Sequence, residues 1–516
     1  MTTPPRSEPY EASGRVDAVS FLRRAGNHRS SSTAVVHPNG SITYGELLRR
    51  ANHVAQRLPR PDLGPQPIVV VTEHDPATPE IYFGVMAAGH SIVPVSARLP
   101  DPAIERIASA AGARLGLVGP DHAGRVAGLN QGAGATRWVE YDSDVSIGVL
   151  PEPGAALPAG TAMVAFTSGT TGDPKGVLVT HTNLIANGLT AALVFGVGAV
   201  NCHINPLPLA HFAGASRVIL AAVNAGTHVI LPEFDPVGVL DAIEEFRGTH
   251  LTVAPAMARE LLRAEPERFD LESLETLVYG TAPMPSNVVS ELLERLDCDL
   301  INGYGLTEST GLVTALDADH HRQAARAGDE DMLSSIGWPV PGVELRIIDD
   351  AHRDVQKGAT GEIALRGMKI TPGYLSNPEE TASRYLNGGW LRSGDQGRLA
   401  DAGYLLLTGR IDDMIITGGL NVQPLEVEIE AIRFQGVEAC AAFGVPSDQW
   451  GQEIRLAVVP ASGWTVPVEE LRVFLQGRLD RYKVPKMVHI VDRLPRSSLG
   501  KVQRRELSAR FGHERR

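Results

Sequence analysis

The sequence predicts an α/β protein built on parallel sheets, and three features of its 516 residues point that way. Short apolar, β-branched runs alternate with stretches of helical periodicity. Several of the strand-like runs are apolar at successive positions, as strands covered on both faces are. The 53 glycines and 36 prolines supply the turns between them.

In chain order, residues 1–14 read as a flexible tail. Pro67-Ile68-Val69-Val70-Val71-Thr72 reads as a buried strand, residues 80–89 carry apolar side chains at helical spacing, and Ser91-Ile92-Val93-Pro94-Val95 reads as the next strand. His228-Val229-Ile230-Leu231 precedes a helical pattern over 237–246 and then Leu251-Thr252-Val253-Ala254. Such strand–helix–strand repetition argues for parallel sheets covered by helices. The pattern changes near residue 335. From 336 to 407, short strands with Gly and Pro turns, such as 342–348 and 361–367, read as an antiparallel or barrel-like unit. Beyond Arg410 the alternation returns, with strands at 439–445 and 454–459 and a helix at 468–479, enough for one small α+β domain. A chain this long exceeds one hydrophobic core, so roughly two to four folding units are expected.

Charge and cysteine usage narrow the function. A formal net charge of −13 argues against a nucleic-acid binder, although basic groups concentrated locally can still hold a phosphate. Cys202, Cys298 and Cys440 are odd in number and fit no zinc spacing, so they read as reduced thiols of a cytoplasmic protein. The N-terminus lacks the apolar core of a signal peptide. The most apolar stretch, 212–231, is interrupted by Arg217, Asn224 and His228 and cannot span a bilayer.

One loop carries the clearest chemistry: Thr167-Ser168-Gly169-Thr170-Thr171-Gly172-Asp173-Pro174-Lys175-Gly176, directly after the strand-like Met163-Val164-Ala165-Phe166. Three glycines let backbone N–H groups converge, four hydroxyls add donors, and Lys175 adds a point charge, which together make a nest for phosphate oxygens. The loop is not a Walker sequence, because Pro174 stands where glycine is needed. Nor is there a dinucleotide fingerprint, since Gly303-Tyr304-Gly305 is followed by Glu308 at the third glycine position.

The loop resembles the signature of the AMP-forming adenylate superfamily, which includes acyl- and aryl-CoA synthetases, nonribosomal adenylation domains and beetle luciferases. The resemblance runs in order along nearly the whole chain. Thr43-Tyr44-Gly45-Glu46-Leu47, residues 84–94, Asn302-Gly303-Tyr304-Gly305-Leu306-Thr307-Glu308, Ser393-Gly394-Asp395, Gly409-Arg410-Ile411-Asp412-Asp413, Tyr482-Lys483-Val484-Pro485 and residues 495–501 are similar to further family motifs. It implies a large N-terminal domain, 15–409, of two parallel-sheet subdomains plus the barrel-like unit. A hinge at 410–413 would lead to a small mobile α+β domain, 414–516.

The motifs also distribute roles. A carboxylate beside a triphosphate is repelled unless a cation intervenes, so Glu308 is a natural Mg²⁺ ligand; on the hexapeptide alone, a helix-capping Thr-Glu is an equally good reading. Thr307 would donate to a phosphate oxygen, and the Tyr304 ring would pack on adenine. Asn302, Gly303 and Gly305 belong to the same nucleotide motif. Gly280-Thr281-Ala282-Pro283 would line the adenine pocket, and it is otherwise an ordinary strand-ending turn. Asp395 suits the ribose hydroxyls, with Arg410 a second ribose or phosphate contact. Lys501 matches the family's catalytic lysine, bridging carboxylate and α-phosphate. Asp412 occupies the hinge position. Gly418 and Gly419 would sit along the thiol tunnel, where Trp450 packs either on a pantetheine arm or in a core. His211 and Phe212, with Gly280 and Gly305, would line the acyl pocket. No acidic residue occurs between 205 and 222 to meet an amino acid's ammonium group, so that pocket is expected to be apolar.

The expected reaction is activation of a carboxylic acid by ATP and transfer to coenzyme A. A stand-alone adenylation enzyme loading a carrier-protein phosphopantetheine would keep the same motifs. A luciferase-like oxygenase and a non-catalytic binder fit less well, the latter because Lys175, Glu308, Asp395, Arg410 and Lys501 are all retained.

Overall fold

The computed structural model describes residues 17–61, 64–132, 134–141, 156–167, 174–198, 200–496 and 501–512. The 1–14 tail therefore lies outside the described residues. So do Ser168, Gly169, Thr170, Thr171 and Gly172 of the phosphate loop.

Four sheets organise the chain. A six-stranded sheet runs in the order Arg137–Glu140, Leu115–Val118, Pro67–Thr72, Ser91–Ser96, Thr161–Thr167, Lys175–Thr180. A nine-stranded sheet runs Trp338–Pro339, Gly311–Leu316, Asp299–Leu306, Thr276–Gly280, His250–Val253, Cys202–Asn205, Thr227–Ile230, Thr33–His37, Gly40–Thr43. The inner strands of both are parallel and buried, and this explains their unbroken apolar runs: Pro67–Thr72 and Ser91–Ser96 are buried at every position.

Both sheets end in antiparallel hairpins, which the parallel pattern alone does not announce. Thr161–Thr167 pairs with Lys175–Thr180, and Asp299–Leu306 pairs with Gly311–Leu316. The phosphate loop and Thr307-Glu308 are the connections of these two hairpins, so Thr307-Glu308 lies in a strand-to-strand turn and not at a helix start. A short segment stitches the sheets together. The Leu178 N–H donates to the Gly373 carbonyl at 3.0 Å, and the Leu375 N–H donates to the Gly176 carbonyl at 2.7 Å.

Strands Val343–Ile348, Gly361–Gly367, Tyr385–Leu386, Trp390–Leu399 and Leu405–Arg410 form the expected antiparallel unit. The last sheet holds Leu420–Val422, Ile415–Thr417, Gly451–Pro460 and Val437–Ser447, with Met487–Ile490 parallel to Gly451–Pro460. The helices Pro424–Ala431, Val468–Gln476 and Arg504–Phe511 pack on it, giving the α+β region foreseen after Arg410.

The Glu308 hairpin depends on a close approach. A Cβ at Gly305 would stand 1.6 Å from the Gly311 carbonyl oxygen, next to a register shift between Tyr304 and Gly305. Gly305→Ala is expected to lower stability by about 1–3 kcal/mol. A denaturant midpoint equal to that of the parent would show that the hairpin relaxes freely.

Candidate active site

The site grows from four strand ends and one loop. Asp395 follows Gly394, which holds φ +78 within strand Trp390–Leu399, and lies opposite Arg410 in the antiparallel register. Its Oδ1 is 3.1 Å from Arg410 Nε, and its Oδ2 accepts the Tyr304 hydroxyl at 2.7 Å. The Asp395 N–H donates to Ser393 Oγ at 3.0 Å. Burial pushes the Asp395 carboxyl above its ordinary range, against the opposing pull of Arg410, the Tyr304 hydroxyl and Lys501.

A second group forms around Glu308. Its Oε1 accepts the Tyr374 hydroxyl at 2.9 Å, and its carbonyl accepts the Thr371 N–H at 2.8 Å. Lys175 pairs with Glu380 at 2.7 Å, and Glu380 also meets Arg384 at 3.2 Å. The Lys175 hydrogen bond, with Arg384, holds the Glu380 carboxyl below its usual range. Gly394 joins the two groups, because a Cβ there would lie 2.9 Å from Arg384 and 4.0 Å from Arg410.

Lys501 arrives from the C-terminal region. Its side chain keeps contact with solvent, yet the protein crowded around it lowers its pKa. The Arg410 charge adds to that lowering, while Asp395, Glu308 and Asp413 oppose it. Lysine 501 therefore shares one electrostatic neighbourhood with both groups, although Ser497 to Gly500 lie outside the described residues.

The other residues expected around the nucleotide and the acyl group lie on strands of the two large sheets and on the turns and helix that follow them. Thr167 ends its strand opposite Lys175. Gly280 and Gly303 are parallel neighbours. Thr281 holds φ +71, a costly left-handed conformation for a β-branched residue and one that collects at functional sites; Ala282 and Pro283 follow it. Thr307 lies in the Glu308 turn. The Asn302 side-chain amide donates to the Ser335 carbonyl at 2.8 Å. His211 precedes the helix Phe212–Asn224, and Phe212 reaches within 3.3 Å of the position a Gly311 Cβ would take. Burial lowers the His211 pKa, with Glu73 raising and Arg98 lowering it further.

Asp412 lies in the single turn Ile411–Asp413 between the antiparallel unit and the last sheet. Gly418 and Gly419 are the two residues between Ile415–Thr417 and Leu420–Val422, with φ +59 and +79. Two successive left-handed residues make the tight turn that glycine permits. The Gly418 N–H donates to the Trp450 carbonyl at 2.8 Å. The Trp450 ring is 3.0 Å from where a Gly418 Cβ would stand and remains 41% exposed. A solvent-facing tryptophan of this kind argues against the core reading.

Tyr374, Glu380 and Arg384 were not expected from the sequence. A signal for Glu380 exists: Asn377-Pro378-Glu379-Glu380 is a capped helix start, where the Asn377 side chain accepts the Glu380 N–H at 3.0 Å.

The model of the AMP-binding enzyme family matches residues 21–375, well over half of the chain. The chain belongs to the AMP-binding enzyme family. The model of that family's C-terminal domain matches residues 426–501, which include Lys501. This AMP-binding enzyme is an AMP-forming ligase of the acyl-CoA synthetase branch. It is 35% identical to a feruloyl-CoA synthase of an Amycolatopsis species, over 93% of this chain and 96% of that one. It is 30% identical to a fatty acid–[acyl-carrier-protein] ligase of Streptomyces coeruleorubidus, over 94% of each. The solved structure of an amide bond synthetase from Marinactinospora thermotolerans matches it with a TM-score of 0.84 at 30% identity, over 96% of this chain and 100% of that one. Among the described residues no helix is long and apolar enough to cross a membrane.

In this AMP-binding enzyme, Asp395 sets function against stability. A carboxyl whose pKa is raised by folding destabilises the fold increasingly as pH climbs above its unfolded value, 3.8. Asp395→Asn is therefore expected to melt no lower than the parent at pH 7, with any gain shrinking as pH falls toward 4. Its ATP-dependent activity should drop roughly 10- to 100-fold, the scale of a charge-assisted hydrogen bond. Full activity in the variant would remove Asp395 from the site.

Proposed function

We propose that the protein activates a carboxylic acid with ATP and passes the acyl group to the thiol of coenzyme A. In the first step a carboxylate oxygen bonds to the α-phosphorus of ATP and the bond to pyrophosphate breaks, leaving an acyl-adenylate. In the second, the thiol sulfur bonds to the acyl carbon, AMP leaves, and the thiol proton is released.

One observation carries the reading. Lys501 comes from the region past residue 410 and acts electrostatically on Asp395 and Glu308 together with Arg410. The barrier to adenylation is repulsion between a carboxylate and a polyphosphate, and convergent cations lower it. In this reading Lys501 bridges the attacking carboxylate and the α-phosphate. Asp395 and Arg410 hold the ribose, and Gly280 to Pro283 with Tyr304 border adenine. The loop from Thr167 to Gly176 holds the β- and γ-phosphates, with Lys175 released from Glu380 to meet them and Thr307 donating alongside.

Glu308 would hold Mg²⁺. A lone carboxylate beside hydroxyl groups suits that ion, which keeps water and phosphate oxygens as most of its ligands. It would neutralise phosphate charge when bound.

Residues 15–409 and 414–516 are proposed as the two domains, with Asp412 in the 410–413 hinge between them. Turning about it would withdraw Lys501 and bring Gly418, Gly419 and Trp450 to the thiol arm. The feruloyl-CoA synthase relative supports CoA as the acceptor, and the carrier-protein ligase supports the alternative of a phosphopantetheine arm.

Pyrophosphate exchange into ATP across a panel of carboxylic acids tests the first step, and thioester formation with CoA or a phosphopantetheinylated carrier protein tests the second. Exchange with no acid from a folded protein would overturn the reading; turnover only with the carrier protein would change the acceptor. Lys501→Ala is expected to slow exchange by roughly 10²–10³ while sparing thioester formation from a supplied acyl-adenylate. The lowered Lys501 pKa places the alkaline limb of exchange below 10.5, and Lys501→Arg should move that limb upward.

A further inference from the structure

Next to the proposed acyl site lies a polar device that the adenylation chemistry does not use. His228, His203 and His250 stand in register across three neighbouring parallel strands, Thr227–Ile230, Cys202–Asn205 and His250–Val253. The His203 and His250 rings are 5.1 Å apart. Above them, from the helix Phe212–Asn224, comes Arg217. Its guanidinium lies 5.0 Å over the Phe195 ring, and its charge acts on all three histidines.

Among the described residues this cation has no counter-ion. Its Nε is buried without a hydrogen-bond partner, and no described carboxylate acts on it. The histidines cannot compensate. Burial drives His228 down to about 3 and lowers His203 and His250, with Arg217 pressing all three the same way, so all are neutral at pH 7. His203 Nε2 is also buried and unpartnered. His228 is bonded to Asn205 at 3.0 Å, and His250 to the Phe195 carbonyl at 2.9 Å. Among the described residues the histidines belong to no group placed to hold a metal ion. An unpaired guanidinium whose Nε is shut away from water is costly, and the accessible remainder of the group is open to an anion.

Position says where that anion comes from. Phe212, Ala213, Ser216 and Arg217 each keep part of their surface accessible, although the helix packs within the molecule. Across from them Thr252, on the same strand face as His250, also keeps accessible surface in the middle of the nine-stranded sheet. That face continues through Val278 and Ile301, the parallel neighbours of Thr252, to Gly280 and Gly303. Accessible surface thus remains at Gly280 and Gly303 at one end of this face and at Thr252, Ser216 and Arg217 beside the histidine row at the other, with the buried apolar side chains of Val278 and Ile301 between them. Arg217 lies five residues along the helix from Phe212, a rise of roughly 7.5 Å away from the residue expected to border the acyl group.

We infer that the acid activated by this enzyme carries a second carboxylate at its remote end, and that Arg217 binds it with the neutral histidine row beside it. The inference rests on the proposed adenylating function and amends the expected apolar pocket. Arg217 is thereby a specificity-determining residue: it touches the substrate's far end and takes no part in bond making.

The test is pyrophosphate exchange with length-matched acids ending in a methyl, a hydroxyl or a second carboxylate, using the parent, Arg217→Met and Arg217→Lys. The parent should favour the diacid over the methyl-ended acid by about 10- to 100-fold in kcat/KM. That ratio should fall to one or below in Arg217→Met and be partly kept in Arg217→Lys. Arg217→Met should also melt at or above the parent temperature, since it removes an unpaired buried charge; if it does not fold, Arg217→Lys carries the ratio test. A parent that prefers the methyl- or hydroxyl-ended acid, or a ratio unchanged in the variants, overturns the inference and leaves adenylation standing. Failure of every acid in the parent overturns adenylation instead.

Discussion

Asp395 is buried, and its carboxylate is claimed from two directions. Tyr304 reaches it from the nine-stranded sheet, and Arg410 reaches it from the strand that ends where the chain crosses to its C-terminal region. An unpaired carboxylate at that depth would be expensive, so the two partners are not optional. Keeping them in place aligns the large sheet, the antiparallel unit and the residues before Asp412. Lys501, which adds its charge from the far end of the sequence, then has a fixed place to arrive. The same burial that makes Asp395 costly makes its hydrogen bonds strong, because few water molecules compete for them.

The second organising constraint is topological. Parallel strands need crossovers, so their ends are separated by helices, whereas an antiparallel edge can close on itself in a short turn. This chain uses that difference. Each large sheet carries an antiparallel hairpin toward one of its edges, and these two hairpin connections hold the phosphate loop and Glu308. The segment 371–375 then bonds to both, through Thr371 to the Glu308 carbonyl and through Gly373 and Leu375 to the strand after the phosphate loop. Lys175 and Glu308 are thus positioned by main-chain hydrogen bonds, which a surface substitution cannot easily shift. The Lys175–Glu380 pair adds a local counter-ion that a phosphate would have to displace.

Much of this was legible in the sequence, for identifiable reasons. Buried parallel strands must be apolar throughout, so Pro67–Thr72 and Ser91–Ser96 declared themselves. Ordered motifs marked Lys175, Glu308, Asp395, Arg410 and Lys501, and the structure draws their charges into one region. The edge hairpins were less visible, because a strand entering a turn looks the same whether it pairs parallel or antiparallel. Tyr374, Glu380 and Arg384 were invisible as site residues. Their roles depend on partners distant in sequence: Tyr374 meets Glu308, 66 positions away, and Glu380 meets Lys175. Arg217 and His228 were noticed only as interruptions in an apolar stretch. Their meaning lies in register across three strands, which no linear reading contains.

That register bears on how such an enzyme selects its acid. An apolar pocket discriminates weakly, since one methylene changes the rate by only about 10- to 200-fold, whereas a site holding unpaired polar groups rejects a substrate that leaves them unsatisfied far more strongly. In the proposed reaction the reacting end could not supply discrimination, because every carboxylic acid would present the same group to Lys501. Selection therefore falls on whatever meets the far end of the acid. In the proposed site the far end of the acid would meet a guanidinium without a described carboxylate, an unpartnered His203 nitrogen and two histidines already committed to neutral partners. In that proposal the apolar residues between would fix the length that an acid must span, and the unpaired cation would fix what must stand at its end.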